Sequence, residues 1–448
     1  MASEKKMNGI TEGVIWKQLL LFFFPILVGT FFQQLYNTVD SVIVGRFLGV
    51  NALAALGTTN SINFMVVGSL TGIAGGFGIL IAQSFGAGDY KRLRHFVRMS
   101  VYLCIAIAVV MTTGLLIGDR AILHLINTPA EIIDDTSSYI RVIYMGLPIT
   151  LMYNLLASIA RSLGDSKTPL YFLVISSVVN IILDLLFVGV FGFGVAGAGC
   201  ATVIAQGLSA SLCFFYIRKK FDILRMTRED MYFSWGSAWK LLSMGVPMAL
   251  QFSITAMGTM IVQSSLNKLG ASYIAGFAAA GKIQGFIIQL FPSVGITLAT
   301  YVGQNRGARD YKRIRKGVNS SVLITIVAGV VCSVFMYFWG HKCARFFVED
   351  PLGEIQNIVY TMYHVSLWFY IPLGLIFVFR NTLQGLGDGL VPMLGGVCEL
   401  LARGLIVLLL FDKLGFMAIC MAEPGAWVSA LIPLIPVYIY RMRKVEKV

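Results

Sequence analysis

The sequence predicts an all-α membrane protein: twelve transmembrane helices in two six-helix lobes related by a pseudo-two-fold axis along the membrane normal. Composition, the number of apolar runs and an internal duplication carry that expectation. Of 448 residues, 57% are hydrophobic and only 13% charged, and the mean hydropathy is +0.78. That leaves too little polar surface for a soluble globule of this length.

Runs long enough to cross a bilayer, about 20 residues as helix, fall near 17–42, 52–80, 97–118, 138–160, 168–190 and 195–217. Six more fall near 240–267, 273–302, 317–340, 360–383, 391–411 and 416–440. The two sets are copies. Gln83-Ser-Phe-Gly-Ala-Gly-Asp-Tyr-Lys-Arg92 recurs as Gln304-Asn-Arg-Gly-Ala-Arg-Asp-Tyr-Lys-Arg313, and Trp16, Pro25, Pro148, Leu163-Gly164-Asp165 and Pro169 recur as Trp239, Pro247, Pro372, Leu386-Gly387-Asp388 and Pro392. Because six is even, both copies enter the membrane from the same side, hence an axis along its normal. The expected division is an N-lobe over 1–217, a linker over 218–238 and a C-lobe over 239–448.

Positive charge orients the chain. With the N-terminus inside, the inner segments hold 25 of the 35 Lys and Arg, and the outer ones hold Arg46, Arg120, Arg141, Lys268, Lys342, Arg345 and Lys413. Both termini are therefore expected in the cytoplasm, with the protein multi-pass in the plasma (cell inner) membrane. The net charge of +13 reads as a topology signal; no aromatic-interleaved soluble domain points to nucleic acid. Seven cysteines, mostly within apolar runs, form no disulfide framework or metal spacing. No small-residue cleavage site follows Lys5 and Lys6, so the first apolar run is read as a retained span. Each copy of Asp-Tyr-Lys-Arg is expected either to be a solvated topology anchor or to form a short surface helix whose tyrosine packs at the headgroup level and whose charges latch the lobe ends during closure.

Polar residues inside the spans mark function, since a bare carboxylate there costs roughly a few kcal/mol. The first span carries Gln33, Gln34, Asn37 and Asp40, with Pro25 as a hinge that removes one backbone hydrogen bond. The fifth aligns Ser176, Asn180 and Asp184 on one face at i, i+4, i+8. The sixth opens on small residues suited to close contact and carries Thr202. Topology puts Asp40, Asp184 and Thr202 in the outer half of the membrane. Two carboxylates at one depth imply a shared proton, a bound cation or a watery cavity. With Asn180 and Thr202 they offer an all-oxygen cluster for a hard cation.

The duplication supplies an internal control. At an offset of 223, Ser176, Asn180 and Asp184 become Glu399, Arg403 and Val407, and Thr202 becomes Gly425. Glu399 and Arg403, at i, i+4, are expected to form a structural intramembrane pair, leaving the mobile cation to the first half. Glu423, where the first half has Cys200, either attracts a cationic solute or satisfies backbone freed by Pro424.

At these residues the chain resembles the multidrug and toxic compound extrusion (MATE) family. The carriers are Gln34-Leu-Tyr-Asn-Thr-Val-Asp40, the Gly-Ala-x-Asp-Tyr-Lys-Arg segment, Arg161-Ser-Leu-Gly-Asp-Ser-Lys-Thr-Pro169 and Asn180-x-x-x-Asp184, in order along nearly the whole chain. The resemblance implies export of organic cations and amphipathic drugs, a xenobiotic antiport driven by Na+ or H+, by alternating access of a V-shaped pair of lobes. It also implies an N-lobe cation site at Asp40, Asn180, Asp184 and Thr202. The chain departs from the family pattern at Thr255, where many relatives carry a glutamate eight residues after the proline of the seventh span.

No cofactor is expected beyond the coupling ion, no metal beyond Na+, no enzymatic activity, and a monomer in contact with membrane lipid. Gly276-Phe-Ala-Ala-Ala-Gly-Lys282 lacks the Ser or Thr of a phosphate-binding loop, and the four histidines form no His-Glu-x-x-His motif. The rival reading is a flippase for lipid-linked saccharides, which would line its cavity with Arg and Lys for pyrophosphate. Within spans only Lys282, Arg380 and Arg403 qualify. Candidate cavity residues for the solute are Gln34, Asn37, Asn154, Gln251, Met257, Lys282 and Glu423.

Overall fold

The computed structural model describes residues 9–126, 128–225, 232–344 and 353–445. Expectations resting on Lys5, Lys6, Arg228, Arg345, Lys447 and the linker stretch 226–231 fall outside them. Among the described residues, eleven helices are long and apolar enough to cross a membrane, and twelve with one bent pair taken as a span. The first half runs Ile15–Leu48, Val50–Gly86, Tyr90–Leu125, the pair Ile133–Met145 and Leu147–Ser162, Lys167–Asp184 extended by a π-helical turn Leu185–Val190, and Gly194–Lys220. The second runs Trp235–Leu266, Ala271–Ile288 with Leu290–Gly307, Tyr311–Phe335, Glu354–Ser366 with Tyr370–Gly385, Leu390–Leu414 and Phe416–Val445. The all-helical, twelve-span fold is the one the sequence predicts.

The fourth span bends by 47° at Gly146. Pro148 has no N–H to give the Tyr144 carbonyl, and in lipid no water replaces it. The Thr112 hydroxyl does, donating to Tyr144 O at 3.2 Å.

Two compact units emerge, one over Phe24–Ala249 and the other joining Ile10–Phe23 to the chain from Leu250 on. The chain changes unit inside two helices, immediately before Pro25 in the first span and just beyond Pro247 in the seventh. In the first unit the fully buried core of Leu70, Phe77, Leu93, Met99, Leu151 and Leu155 includes Ala238, Leu241 and Met244 from the start of the seventh span. Val262, Leu266, Phe291, Tyr370, Ala422 and Leu434 centre the core of the second. Lipid is as apolar as these side chains, so close packing rather than transfer from water holds each bundle.

The repeated motifs are local fasteners. Asp89 Oδ1 accepts the Arg92 amide at 3.0 Å and Asp310 Oδ1 the Arg313 amide at 2.9 Å, so each aspartate caps the span that follows. No separate surface helix forms, because the third and ninth spans begin at Tyr90 and Tyr311 themselves. Each corner also holds the stretch leading into the other repeat's first span. The Ile10 amide donates to Gln304 Oε1 at 2.8 Å and Arg313 Nη2 to Glu12 O at 2.9 Å. In the first unit His95 stacks on Tyr232 at 4.4 Å and its Nε2 lies 3.0 Å from Ser237 Oγ. The Leu-Gly-Asp copies tie the loop after the fourth and tenth spans to the last helix of the half, through Asp165–Lys220 at 2.9 Å and Asp388–Arg441 at 2.7 Å.

Candidate functional site

Inside the first unit, polar faces of five helices enclose a cavity of about 50 Å³, room for a few water molecules. The first span contributes Gln33 and Tyr36, the fourth Asn154, the fifth Asn180 and the sixth Thr202 and Gln206. Helical phase explains the choice. Gln33, Tyr36 and Asp40 recur at i, i+3 and i+7 on one stripe, whereas Gln34 and Asn37 lie one step round and are not among the wall residues; Asn37 is exposed.

Asp184 is fully buried, Asn180 2% exposed and Asp40 half-buried. The Asp40 and Asp184 carboxyls are within hydrogen-bonding reach of each other. Such a bond needs a proton, because two carboxylates offer no donor. Without one, both Asp184 oxygens, Asp40 Oδ1 and both polar atoms of the Asn180 amide are buried and partnerless. Buried polar groups are rarely left so, and each costs about 1–3 kcal/mol unless something fills it. The oxygens suit a proton or a hard cation. Thr202 fits the same set: its hydroxyl proton is committed to Ala198 O at 3.1 Å, which leaves its lone pairs free to accept. Asp184 also ends the α-helical part of its span, where the π-helical turn begins, a distortion common at functional sites.

Sequence reasoning missed two neighbours. Tyr36 and Tyr139 stand within electrostatic range of both carboxyls. Tyr36, one turn before Asp40, was legible from helical spacing. Tyr139 comes from the first arm of the bent fourth span, and nothing in the sequence pairs it with Asp40.

The second unit fills the equivalent positions with charge. The expected Glu399–Arg403 pair is there but weak, at 3.5 Å, and it belongs to a quartet. Arg380 donates to Glu399 Oε1, while Arg403 grips Glu423 with both edges, Nε to Oε1 at 3.1 Å and Nη2 to Oε2 at 2.9 Å. Glu423 is thus an ion-pair partner rather than a filler of backbone freed by Pro424. With its amide oxygen turned toward the guanidinium, Gln251 accepts from Arg380 Nη1 at 2.7 Å, so Gln251 serves the quartet. Gly258 makes the room, since a Cβ there would stand 3.0 Å from Arg403 Cδ and Nη1. Met257 instead lines an all-apolar groove with Met260, Leu401 and Leu405, and Lys282 is exposed on the eighth span. Neither joins the quartet.

A family model described as MatE matches residues 25–186 and again 247–408, the two copies of the duplication. The chain is 26% identical over 447 residues to "Probable multidrug resistance protein YoeA" of Bacillus subtilis (strain 168), covering 96% of this chain and 95% of that protein. Its fold superposes with a TM-score of 0.93, at 20% identity and full coverage of both chains, on a structure described as "Outward-facing conformation of a multidrug resistance MATE family transporter of the MOP superfamily". The same score, identity and coverage hold for "Reverse polarity of binding pocket suggests different function of a MOP superfamily transporter from Pyrococcus furiosus Vc1 (DSM3638)".

Proposed function

Because this chain belongs to the MatE family of membrane transporters, not enzymes, we propose that it exports small cationic or amphipathic solutes by alternating access, in exchange for inward Na+ or H+. The observation that supports coupling is the cluster of partnerless buried oxygens at Asp40, Asn180 and Asp184. Cation or proton entry from outside satisfies them. A ligand shifts a conformational equilibrium only through differential affinity, so the bound ion must favour one path of the first span over another. Pro25 is the point where that span can bend, and the chain passes from one compact unit to the other at the same place. The lobes of the transport cycle are the duplicated halves, 1–217 and 239–448, joined by the 218–238 linker. The protein acts as a monomer in the cytoplasmic membrane with both termini inside.

The flippase reading needs unneutralised guanidinium groups for a pyrophosphate. Glu399 and Glu423 offset the charges of Arg380 and Arg403, which favours export. The test is efflux of a panel of cationic dyes from sealed proteoliposomes under separately imposed Na+ and H+ gradients. Dye movement driven by one gradient and abolished by its collapse is expected; dye retention under both would sink the proposal.

A further inference from the structure

We propose that the second-half quartet is a subsite for a carboxylate carried by an amphipathic solute, with Glu423 as the internal stand-in that the solute's carboxylate displaces from Arg403. The inference rests on the export reading and adds a substrate class to it.

Four charges in a bundle core are an expensive way to fill space, since an apolar replacement of the same volume is often as stable. The first half fills the equivalent positions with Ser176, Asn180 and Cys200, so the fold does not require ions there. The quartet is also incomplete. Arg403 is 2% exposed, yet its Nη1 is buried with no partner. Its other edge, Nε and Nη2, presents the planar fork that fits a carboxylate with two parallel bonds, and Glu423 occupies it.

The two glutamates differ in how freely they can leave. Glu399 is 6% exposed and lies between Arg380 and Arg403. Glu423 is 27% exposed, the most accessible member of the quartet. It also precedes Pro424, whose ring cannot return a hydrogen bond to the carbonyl four residues back and disfavours helical geometry in the residue before it. The turn bearing Glu423 is therefore the looser one. When Glu423 swings out, an incoming carboxylate keeps the quartet neutral and can place an oxygen near Nη1 as well. A solute with a cation alone gains nothing from this exchange.

The test uses purified full-length protein in nanodiscs and two dyes that differ in one group, a rhodamine free acid and its ethyl ester, with binding read by fluorescence polarisation and transport in proteoliposomes. Glu423→Gln removes the competing anion and should raise free-acid binding relative to the ester about tenfold. The double variant Arg403→Gln with Glu423→Gln removes both members of the ion pair and keeps the core neutral. It should lose the preference for the acid and retain the ester. An acid-to-ester ratio equal in wild type and both variants, with the ester still bound and carried, overturns the subsite alone. If wild type neither binds nor moves either dye, the export reading falls and the subsite falls with it.

Discussion

Asp184, fully buried on the fifth span, meets Asp40 of the first span carboxyl to carboxyl. Two like charges in a dry site are held there at a cost that only a proton or a cation relieves. Asp184→Asn removes one charge and gives the Asp40 carboxylate a donor. The variant is expected to be as stable as wild type or more so, by up to about 1 kcal/mol, in a thermal melt in detergent. A large loss of stability would mark Asp184 as a structural residue instead.

The two glutamates of the second half should separate in the same assay. Glu399→Gln leaves a buried guanidinium short of its counter-ion and is expected to cost about 3 kcal/mol or more. Glu423→Gln, at the exposed edge, should cost clearly less. Val407→Asp, at the position matching Asp184, should create no ion binding by isothermal titration, because Arg403 one turn away already supplies the positive charge.

The corners offer a symmetry test. Gly88 has φ of 68° and its counterpart Arg309 has φ of 59°, the sole positive-φ residue among the described residues that is not glycine. Left-handed backbone costs a residue with a Cβ roughly 1 kcal/mol. Arg309→Gly should therefore raise the melting temperature, with a gain of roughly 0.5–1 kcal/mol, and Gly88→Arg should lower it.

Asp165, in the loop after the fourth span, predicts an acid-side loss. Burial pushes its carboxyl up, but hydrogen bonds from Tyr216, Lys220 and Thr168 outweigh that and hold it below the usual carboxylate range. Its contribution is complete at pH above that range and is lost as pH falls through the lowered value. Lys220 is half exposed, which discounts its share. Asp165→Asn should cost about 1 kcal/mol at neutral pH, and the difference from wild type should close in acid.

Much of this was legible in the residues. Hydropathy located every span, because lipid forces each apolar run to satisfy its own backbone as helix, though the helices run up to seven residues past the expected ends. Asp40, Asn180, Asp184 and Thr202 were singled out by the cost of polarity at membrane depth; Asn180 and Thr202 line one cavity, and the Asp40 and Asp184 carboxyls lie within reach of each other. Helical phase separated Gln33 and Tyr36 from Gln34 and Asn37, a distinction of one residue that composition does not resolve. Tyr139 reaches the carboxyls from a helix far from Asp40 in sequence, and the Arg380–Glu399 contact joins two successive helices; neither follows from a pattern within a single helix. The Asp-Tyr-Lys-Arg copies misled in part. Their aspartates cap the following spans, and the grip on Ile10 and Glu12 comes from Gln304 and Arg313.

The central claim is that the Asp40–Asp184 pair couples ion entry to solute export, and gradient-driven dye efflux from proteoliposomes of wild type, Asp40→Asn and Asp184→Asn tests it most directly. Both variants should insert and bind dye, yet lose efflux driven by Na+ or H+ by about tenfold or more. Efflux retained in both variants would contradict the account.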